Sequence, residues 1–250
     1  MRTRRRPMTL HELIARIAGL KLECPVDFEL DLDGLRDDLG RLQRHFEPGS
    51  HPAAYFNPNG GWKSFNLRSP GGDMNATVLS AGDEMRYTEA MEYAPNTREL
   101  IEALSDRAER VRFVSLEPGE RVLWHYDRTT IDPRTNVKKH RPRIGRFHIP
   151  IHTNDDVTMN ICGTICRWEE GQLYYADFGF PHMLENRSRQ TRHHLVLDLL
   201  VRDNLLERFP VSFIESAGRR TRLRPWCQRA CALFFRNTSA SSYVQKEVLG

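Results

Sequence analysis

Apolar residues recur along this chain with two different periods. Between residues 8 and 20 they fall at Leu10, Leu13, Ile14, Ile17 and Leu20, which is helical spacing. A second stripe, Leu32, Leu35, Leu39 and Leu42, lies in "DLDGLRDDLGRLQRHF", whose Asp-rich start suits a helix N-terminus. "VDFEL" between them reads as a short strand. The Gly-, Pro- and Asn-dense "EPGSHPAAYFNPNGGW" reads as a loop, and "WKSFNLRS" after it as a strand. "NTRELIEALSDRAE" predicts a third helix, capped at Asn96 or Thr97 with Glu99 behind.

From Val111 the period becomes two. "VRFVSLEP", "RVLWHYD", "GRFHIPIHT", "VTMNICG", "GQLYYADFG", "HMLENRS" and "RHHLVLDLLV" follow one another, separated by turn residues. Short strands at roughly 8–12-residue spacing indicate an antiparallel sandwich or barrel. The expected fold is mainly β with flanking helices around a double-stranded β-helix, a cupin-like jelly roll. Residues 1–110 read as a mixed α/β region packed on the core and 111–203 as the core. Residues 204–250 read as helices or an arm on the outside. Together they make one compact domain.

Composition narrows this little. Of 250 residues, 39% are hydrophobic and 28% charged, with a net charge of +4, an ordinary globular balance. No apolar run approaches the roughly eighteen residues that span a bilayer. Much of the positive excess sits at Arg2, Arg4, Arg5 and Arg6, a solvated terminus and no nucleic-acid surface. Glu12 and Arg16 interrupt the following apolar stretch, which reads as a helix and not as a signal segment. The five cysteines, Cys24, Cys162, Cys166, Cys227 and Cys231, form no even disulfide framework, and a reducing cytoplasm is expected. Two C-x-x-x-C pairs leave a structural zinc site open as the alternative to buried thiols.

The chemistry concentrates in the alternating half. In "LEPGERVLWHYDR", His125 and Asp127 are two apart on a strand and project to one side. Imidazole plus carboxylate is two-thirds of the facial triad that holds non-haem iron(II) with positions left open, though a surface His–Asp pair would look the same. A second imidazole stands at His182. After the turn "ENRSRQ" comes a strand on which Arg192, His194, Val196 and Asp198 share a face. An arginine inside a barrel needs an anion, and a carboxylate is its natural bidentate partner, so Arg192 is a candidate clamp for an acidic cosubstrate. In "GRFHIPIHT", Arg146, His148 and Pro150 share one face and Phe147, Ile149 and Ile151 the other. If the apolar face packs outward, Arg146 and His148 line the interior.

The ordered set "LEPGERVLWHYD … GRFHIPIHTN … GQLYYADFGFPHMLENRSRQTRHHLVLDL" resembles the aspartyl/asparaginyl β-hydroxylase family of iron(II)- and 2-oxoglutarate-dependent dioxygenases, whose relatives include free-proline hydroxylases. The resemblance covers about residues 111–200. It implies that His125, Asp127 and His182 ligate Fe(II), that Arg192 grips the distal carboxylate of 2-oxoglutarate, and that Arg146 and His148 contact cosubstrate or substrate. It also implies a reaction with O₂ that releases succinate and CO₂ and hydroxylates an unactivated C–H. The retained Asp127 argues against halogenation. Some relatives help hold the cosubstrate with a serine four residues before the P-G turn. Here that position is Val114, with Ser115 beside it.

The substrate is less constrained. The basic segment "RTTIDPRTNVKKHRPRIG", beginning at Arg128, would suit an anion if it lies over the barrel mouth, or is simply solvated. Arg128, Arg146, Trp62 and Arg68 are the candidate substrate contacts. The expected substrate is a small amino acid or an amino-acid derivative, carrier- or peptide-bound forms included, with no nucleic-acid or membrane partner. Two alternatives stand beside this reading. A cupin-like isomerase or hydrolase would use the same His/Asp/His on another metal without needing Arg192. A non-catalytic jelly roll would bind a ligand or partner and hold zinc on its cysteines.

Overall fold

The computed structural model describes residues 8–51, 53, 56–76, 84–127 and 144–236. The basic terminus and the basic segment with Arg128 lie outside these residues. Two antiparallel sheets make the core. The larger runs β1 (Glu23–Pro25), β10 (Tyr174–Ala176), β7 (Ile144–His152), β12 (Arg192–Leu200), β5 (Ala108–Leu116), β3 (Trp62–Pro70) and β2 (Gly49–Ser50), with β4 (Met85–Tyr87) also on β3. The smaller runs β6 (Arg121–His125), β11 (His182–Asn186), β8 (Val157–Ile161) and β9 (Thr164–Cys166). This is the expected double-stranded β-helix. The period-two pattern from Val111 supplies most of it, and β1 and β3 extend the larger sheet.

The alternation sorts the larger sheet into two faces. Phe65, Leu67, Val111, Phe113, Phe147, Ile149, Ile151, Leu195, Leu197 and Leu199 point outward. They pack against Leu35, Leu39 and Leu42 of α2 (Leu32–His45) and Leu100, Ile101 and Leu104 of α3 (Pro95–Leu104). Inward, Val114, Leu116 and Val196 meet Val122, Met159, Ile161 and Leu184 of the smaller sheet. Between these inward apolar residues the same strands carry Arg112, Arg146, His148, Arg192, His194 and Asp198. The sheet therefore has a dry outer face and a polar inner one.

Four local expectations are corrected. The short strand is Glu23–Pro25 and not "VDFEL", because the three residues of β10 are the edge available to it. The third helix stops at Leu104, since Ala108 onward is taken up by β5. That helix begins at Pro95 without a local side-chain cap. Its Asn96 and Thr97 reach instead to Asp38 of α2, which accepts from the Thr97 amide at 2.6 Å, its hydroxyl at 2.8 Å and Asn96 Nδ2 at 2.8 Å. The cap thus comes from a neighbouring helix. Finally, α1 (Leu10–Ile17) turns much of its apolar stripe to solvent: Leu10, Leu13 and Ile17 are 54%, 43% and 78% exposed. Its inner face is His11, Glu12 and Ala15, because Glu12 closes a capping box with Thr9 and accepts from Asn160 of β8.

The C-terminal segment is helical: α4 (Asp203–Leu206), α5 (Val211–Glu215) and α6 (Ala217–Arg236). Helix α6 packs on α1 and grips the segment ahead of His182, with Arg224 Nη2 donating to Asp177 Oδ2 at 2.5 Å and Gln228 Nε2 to Gly179 O at 2.8 Å. All five cysteines are buried free thiols. No helix among the described residues is long and apolar enough to cross a membrane.

Candidate active site

His125 ends β6 and His182 begins β11, and the two are cross-strand partners in register. This pairing sets the imidazole centroids 4.1 Å apart. Asp127 follows β6, its amide tied to Phe178 O at 2.8 Å. One ligating atom from each of His125, Asp127 and His182 lies within 4.8 Å of the others. Among the described residues no other such group of His, Cys, Asp and Glu occurs, so the C-x-x-x-C pairs make no metal site there.

The histidines are oriented for a metal. His125 Nδ1 faces Leu123 O at 2.7 Å and His182 Nδ1 faces Phe180 O at 2.9 Å. A carbonyl can only accept, so each Nδ1 carries the proton and each Nε2 offers a lone pair. Burial, with His182 adding to it, pushes His125 down to about 3, and burial also lowers His182. Both rings are therefore neutral. Burial disfavours the charge on Asp127, but Arg146 and the surrounding cationic groups outweigh it and hold the carboxyl below its ordinary value.

Arg146 lies inward, as the apolar outward face of its strand required. It is fully engaged: Nε and Nη2 donate to the two Asp198 oxygens at 2.6 and 2.8 Å, and Nη1 donates to Asp127. Asp198 is its cross-strand partner on β12. The expected role of Arg146 as a cosubstrate or substrate contact meets this geometry, in which its fork is taken up by two protein carboxylates. It orients Asp127.

Arg192 is the contrast. It is 2% exposed, its Nε has no partner, and among the described residues its hydrogen bond is Nη2 to His194 Nδ1 at 2.7 Å. Burial alone pushes it down to about 9, with no carboxylate to counter the cost. Because His194 Nδ1 accepts from the arginine, its proton sits on Nε2, which is also buried and unpartnered. A cavity of about 360 Å³ opens onto both residues, lined further by Met159, Trp168 and Leu184. His148 lies alongside, its Nδ1 3.4 Å from His194 Nδ1, and is held neutral by burial and by Arg192. Two unpartnered donors at the end of a cavity are what a carboxylate would satisfy.

Comparison with known families now decides the assignment. Residues 29–201 match the family model described as aspartyl/asparaginyl beta-hydroxylase, well over half of the chain. The chain belongs to that family. It is an iron(II)- and 2-oxoglutarate-dependent hydroxylase that consumes O₂. The match begins at residue 29, so it takes in elements ahead of residue 111 that the resemblance in the sequence did not cover. None of the curated proteins matches.

Solved structures similar to the chain include a 2OG-Fe(II) oxygenase family oxidoreductase from Burkholderia pseudomallei. The two are 12% identical, with 79% of this chain and 92% of that one covered and a TM-score of 0.45. A Pseudomonas putida prolyl-4-hydroxylase is 12% identical over 77% of this chain and 100% of that one, with a TM-score of 0.42. A viral collagen prolyl hydroxylase from Paramecium bursaria Chlorella virus-1 is 11% identical over 73% and 97%, with a TM-score of 0.40. The assignment rests on the family match and not on these likenesses.

The residues fit what this family's chemistry requires. Two neutral imidazoles and a carboxylate could hold iron(II), and Arg192 with His194 could hold the far carboxylate of 2-oxoglutarate. Val114, where some relatives place a serine, is the cross-strand neighbour of His194 on the inner face, while Ser115 pairs with His193 and points the other way. The His194 donor thus occupies the neighbourhood a serine would serve.

The candidate substrate contacts divide. Trp62 comes to the site, its ring 6.1 Å from His125 and stacked on His51 at 3.5 Å. Arg68 does not. A bulge between Asn66 and Arg68 moves it out of step, so that it pairs with outward-facing Val111. Its Nε donates to Ala108 O and its guanidinium lies over Tyr87. Arg128 lies outside the described residues. Sequence reasoning passed over Arg112, His51, Phe56 and the role of His194. Phe56 stacks on His125 at 4.3 Å. The period of "VRFV" already places Arg112 on the inward face, whereas His51 and Phe56 sit in a loop with no period to read.

Proposed function

We propose that this hydroxylase acts on an unactivated C–H of a small amino acid or amino-acid derivative, in the cytoplasm, with residues 1–110, 111–203 and 204–250 working as one unit. In this reading His125, Asp127 and His182 hold the iron(II), Arg146 orients Asp127, and Arg192 with His194 holds the distal carboxylate of 2-oxoglutarate. His148 fills the space between them as a neutral imidazole. The bound iron and cosubstrate supply the oxidation: O₂ and 2-oxoglutarate are consumed, succinate and CO₂ leave, and one oxygen atom enters the target C–H. The chain's own part is to fix these groups, to exclude water behind Phe56, Trp62 and Phe178, and to hold the target carbon in place.

The single observation that carries this reading is Arg192, a buried arginine with an unpartnered Nε on the same inner face as the His/Asp/His group, with His148 between it and His182. An isomerase or hydrolase on the same metal would leave that charge unanswered, and such a burial is costly. The test is an anaerobic titration of metal-free protein with Fe(II) and then 2-oxoglutarate, watched for the weak visible charge-transfer band of a chelated 2-oxo acid. A saturable band is expected, lost in Asp127→Ala and shifted to higher 2-oxoglutarate concentration in Arg192→Ala. Bound iron with no band would overturn it.

A further inference from the structure

Arg192 is not the only buried arginine without an anion. Arg112, in the middle of β5, is 5% exposed, and its Nε is buried with no partner. Among the described residues its side chain makes no hydrogen bond or ion pair. It sits between Asn66 of β3 and Val196 of β12 on the inner face. One residue pair along, Ser64 lies opposite Val114, so Ser64 is the diagonal neighbour of Arg112. Ser64 is 2% exposed and its hydroxyl is also unpartnered. His51 borders the same face: its ring stacks on Trp62 at 3.5 Å, and Trp62 shares the inner face of β3 with Ser64. Its Nδ1 accepts the Ala53 amide at 3.1 Å, so its proton is on Nε2 and points elsewhere. The unpartnered atoms of Arg112 and Ser64 thus lie on one inner face, with the His51 ring at its edge.

The two unpaired arginines stand in different electrostatic surroundings. No charged neighbour moves Arg192. Arg112 is lowered to about 9 by burial first and by Arg146 next, while Asp198 and Asp127 pull the other way. Those carboxylates are already taken by Arg146. In the loaded enzyme the two charges of iron(II) would be answered by Asp127 and one carboxylate of 2-oxoglutarate, and Arg192 by the other. Arg146 is answered by Asp198. Arg110 adjoins the same carboxylate but is only part-buried and keeps access to water. Arg112 would then be the fully buried arginine left with no negative charge, on the side of the iron site where Phe56 and Trp62 lie against His125.

We propose that Arg112, with Ser64 and His51, forms a second anion subsite that receives the free carboxylate of an amino-acid substrate. This rests on the reading of His125, Asp127, His182 and Arg192 given above. It narrows that reading: a substrate tethered through its carboxyl as a thioester or internal peptide residue has no anion to offer Arg112. The Phe56 and Trp62 rings then lie against the apolar part of the substrate near His125.

The test uses the anaerobic Fe(II)- and 2-oxoglutarate-loaded protein and its charge-transfer band. The probes are common free L-amino acids, their carboxamides and their pantetheine thioesters. At least one free acid perturbs the band saturably, and its carboxamide requires at least about tenfold more. In Arg112→Gln the band itself persists, which shows a folded, loaded site, while the preference for acid over amide disappears. Arg112→Lys restores part of that preference. Thermal stability of unloaded Arg112→Gln is equal to or above the parent's, because an unanswered buried charge is removed; a structural arginine would give a fall. Equal response to acids and amides, no response to any free acid, response to thioesters alone, or an unchanged preference in Arg112→Gln would each overturn the assignment while leaving the iron site intact. Absence of the band in the parent protein would instead overturn the reading beneath it.

Discussion

The two faces of the larger sheet are made by the same strands and obey opposite rules. On the outer face the apolar strand residues meet apolar neighbours from α2, α3 or the C-terminal segment. On the inner face Arg112, Arg192, Ser64 and His194 each keep a buried polar atom without a partner. Native interiors rarely tolerate such atoms, and each costs stability. The difference locates function: the outer face supplies the free energy of folding, and the inner face holds groups in place for ligands that complete their hydrogen bonds. Arg146 marks the boundary, since it is part-buried on the same face but answered twice.

Substitutions should separate the faces. The largest effect belongs to His182→Ala, which removes one of two imidazoles facing a shared metal position. Iron binding at stoichiometric concentration and succinate formation are both lost, while the thermal midpoint of the metal-free protein changes little. Metal analysis after gel filtration checks the first outcome. On the other face, Phe147→Ala deletes a fully buried ring between β7 and the helical layer. It should cost about 3–5 kcal/mol in denaturant unfolding, with iron affinity unchanged wherever the protein remains folded.

Asp198→Asn tests the boundary. The amide keeps the shape but loses the charge that Arg146 pairs with at 2.6 Å. Asp127 would then share its arginine with no competitor and be pulled from its position. Iron affinity should fall by about 10–100-fold, the usual cost of disturbing a group that orients a ligand. An unchanged affinity would mean that Arg146 does not position Asp127.

Acid gives the broadest effect, spread over several buried groups. His125 is held down to about 3 and His193 to about 4, against an ordinary 6.5, and His51, His148 and His194 are also lowered by burial. Below 6.5 the unfolded chain binds protons that the fold refuses, so stability is complete above that value and declines as pH falls. Each histidine that stays neutral contributes about 1.4 kcal/mol per pH unit of that decline. Asp127 and Asp198, held low in the fold, add a further loss below about 3.8. Denaturant midpoints of the metal-free protein between pH 7.5 and 5 measure this, and a flat profile would contradict neutral burial.

Much of this was legible in residue order. The period-two segments from Val111 give the sheets, and i, i+2 spacing puts His125 with Asp127 and Arg192 with His194 and Asp198. The apolar set Phe147, Ile149 and Ile151 correctly sends Arg146 and His148 inward. The failures share one cause. Leu10, Leu13 and Ile17 have helical spacing, yet spacing names a face without naming what covers it. Arg68 follows Ser64 and Asn66 by regular alternation, and a single bulge reverses it.

The sequence by itself determined the family, the strands, the face on which each strand residue lies and the three residues that meet at the metal position, because these depend on local period and on motifs read in order. Tertiary structure alone decided which buried charges are answered. Arg112, Arg146 and Arg192 are alike as residues on alternating strands. One finds two carboxylates and two find none, because cross-strand register sets Asp198 beside Arg146 and brings Asp127 across from the other sheet. Register is a relation between distant segments, and no window along the chain contains it.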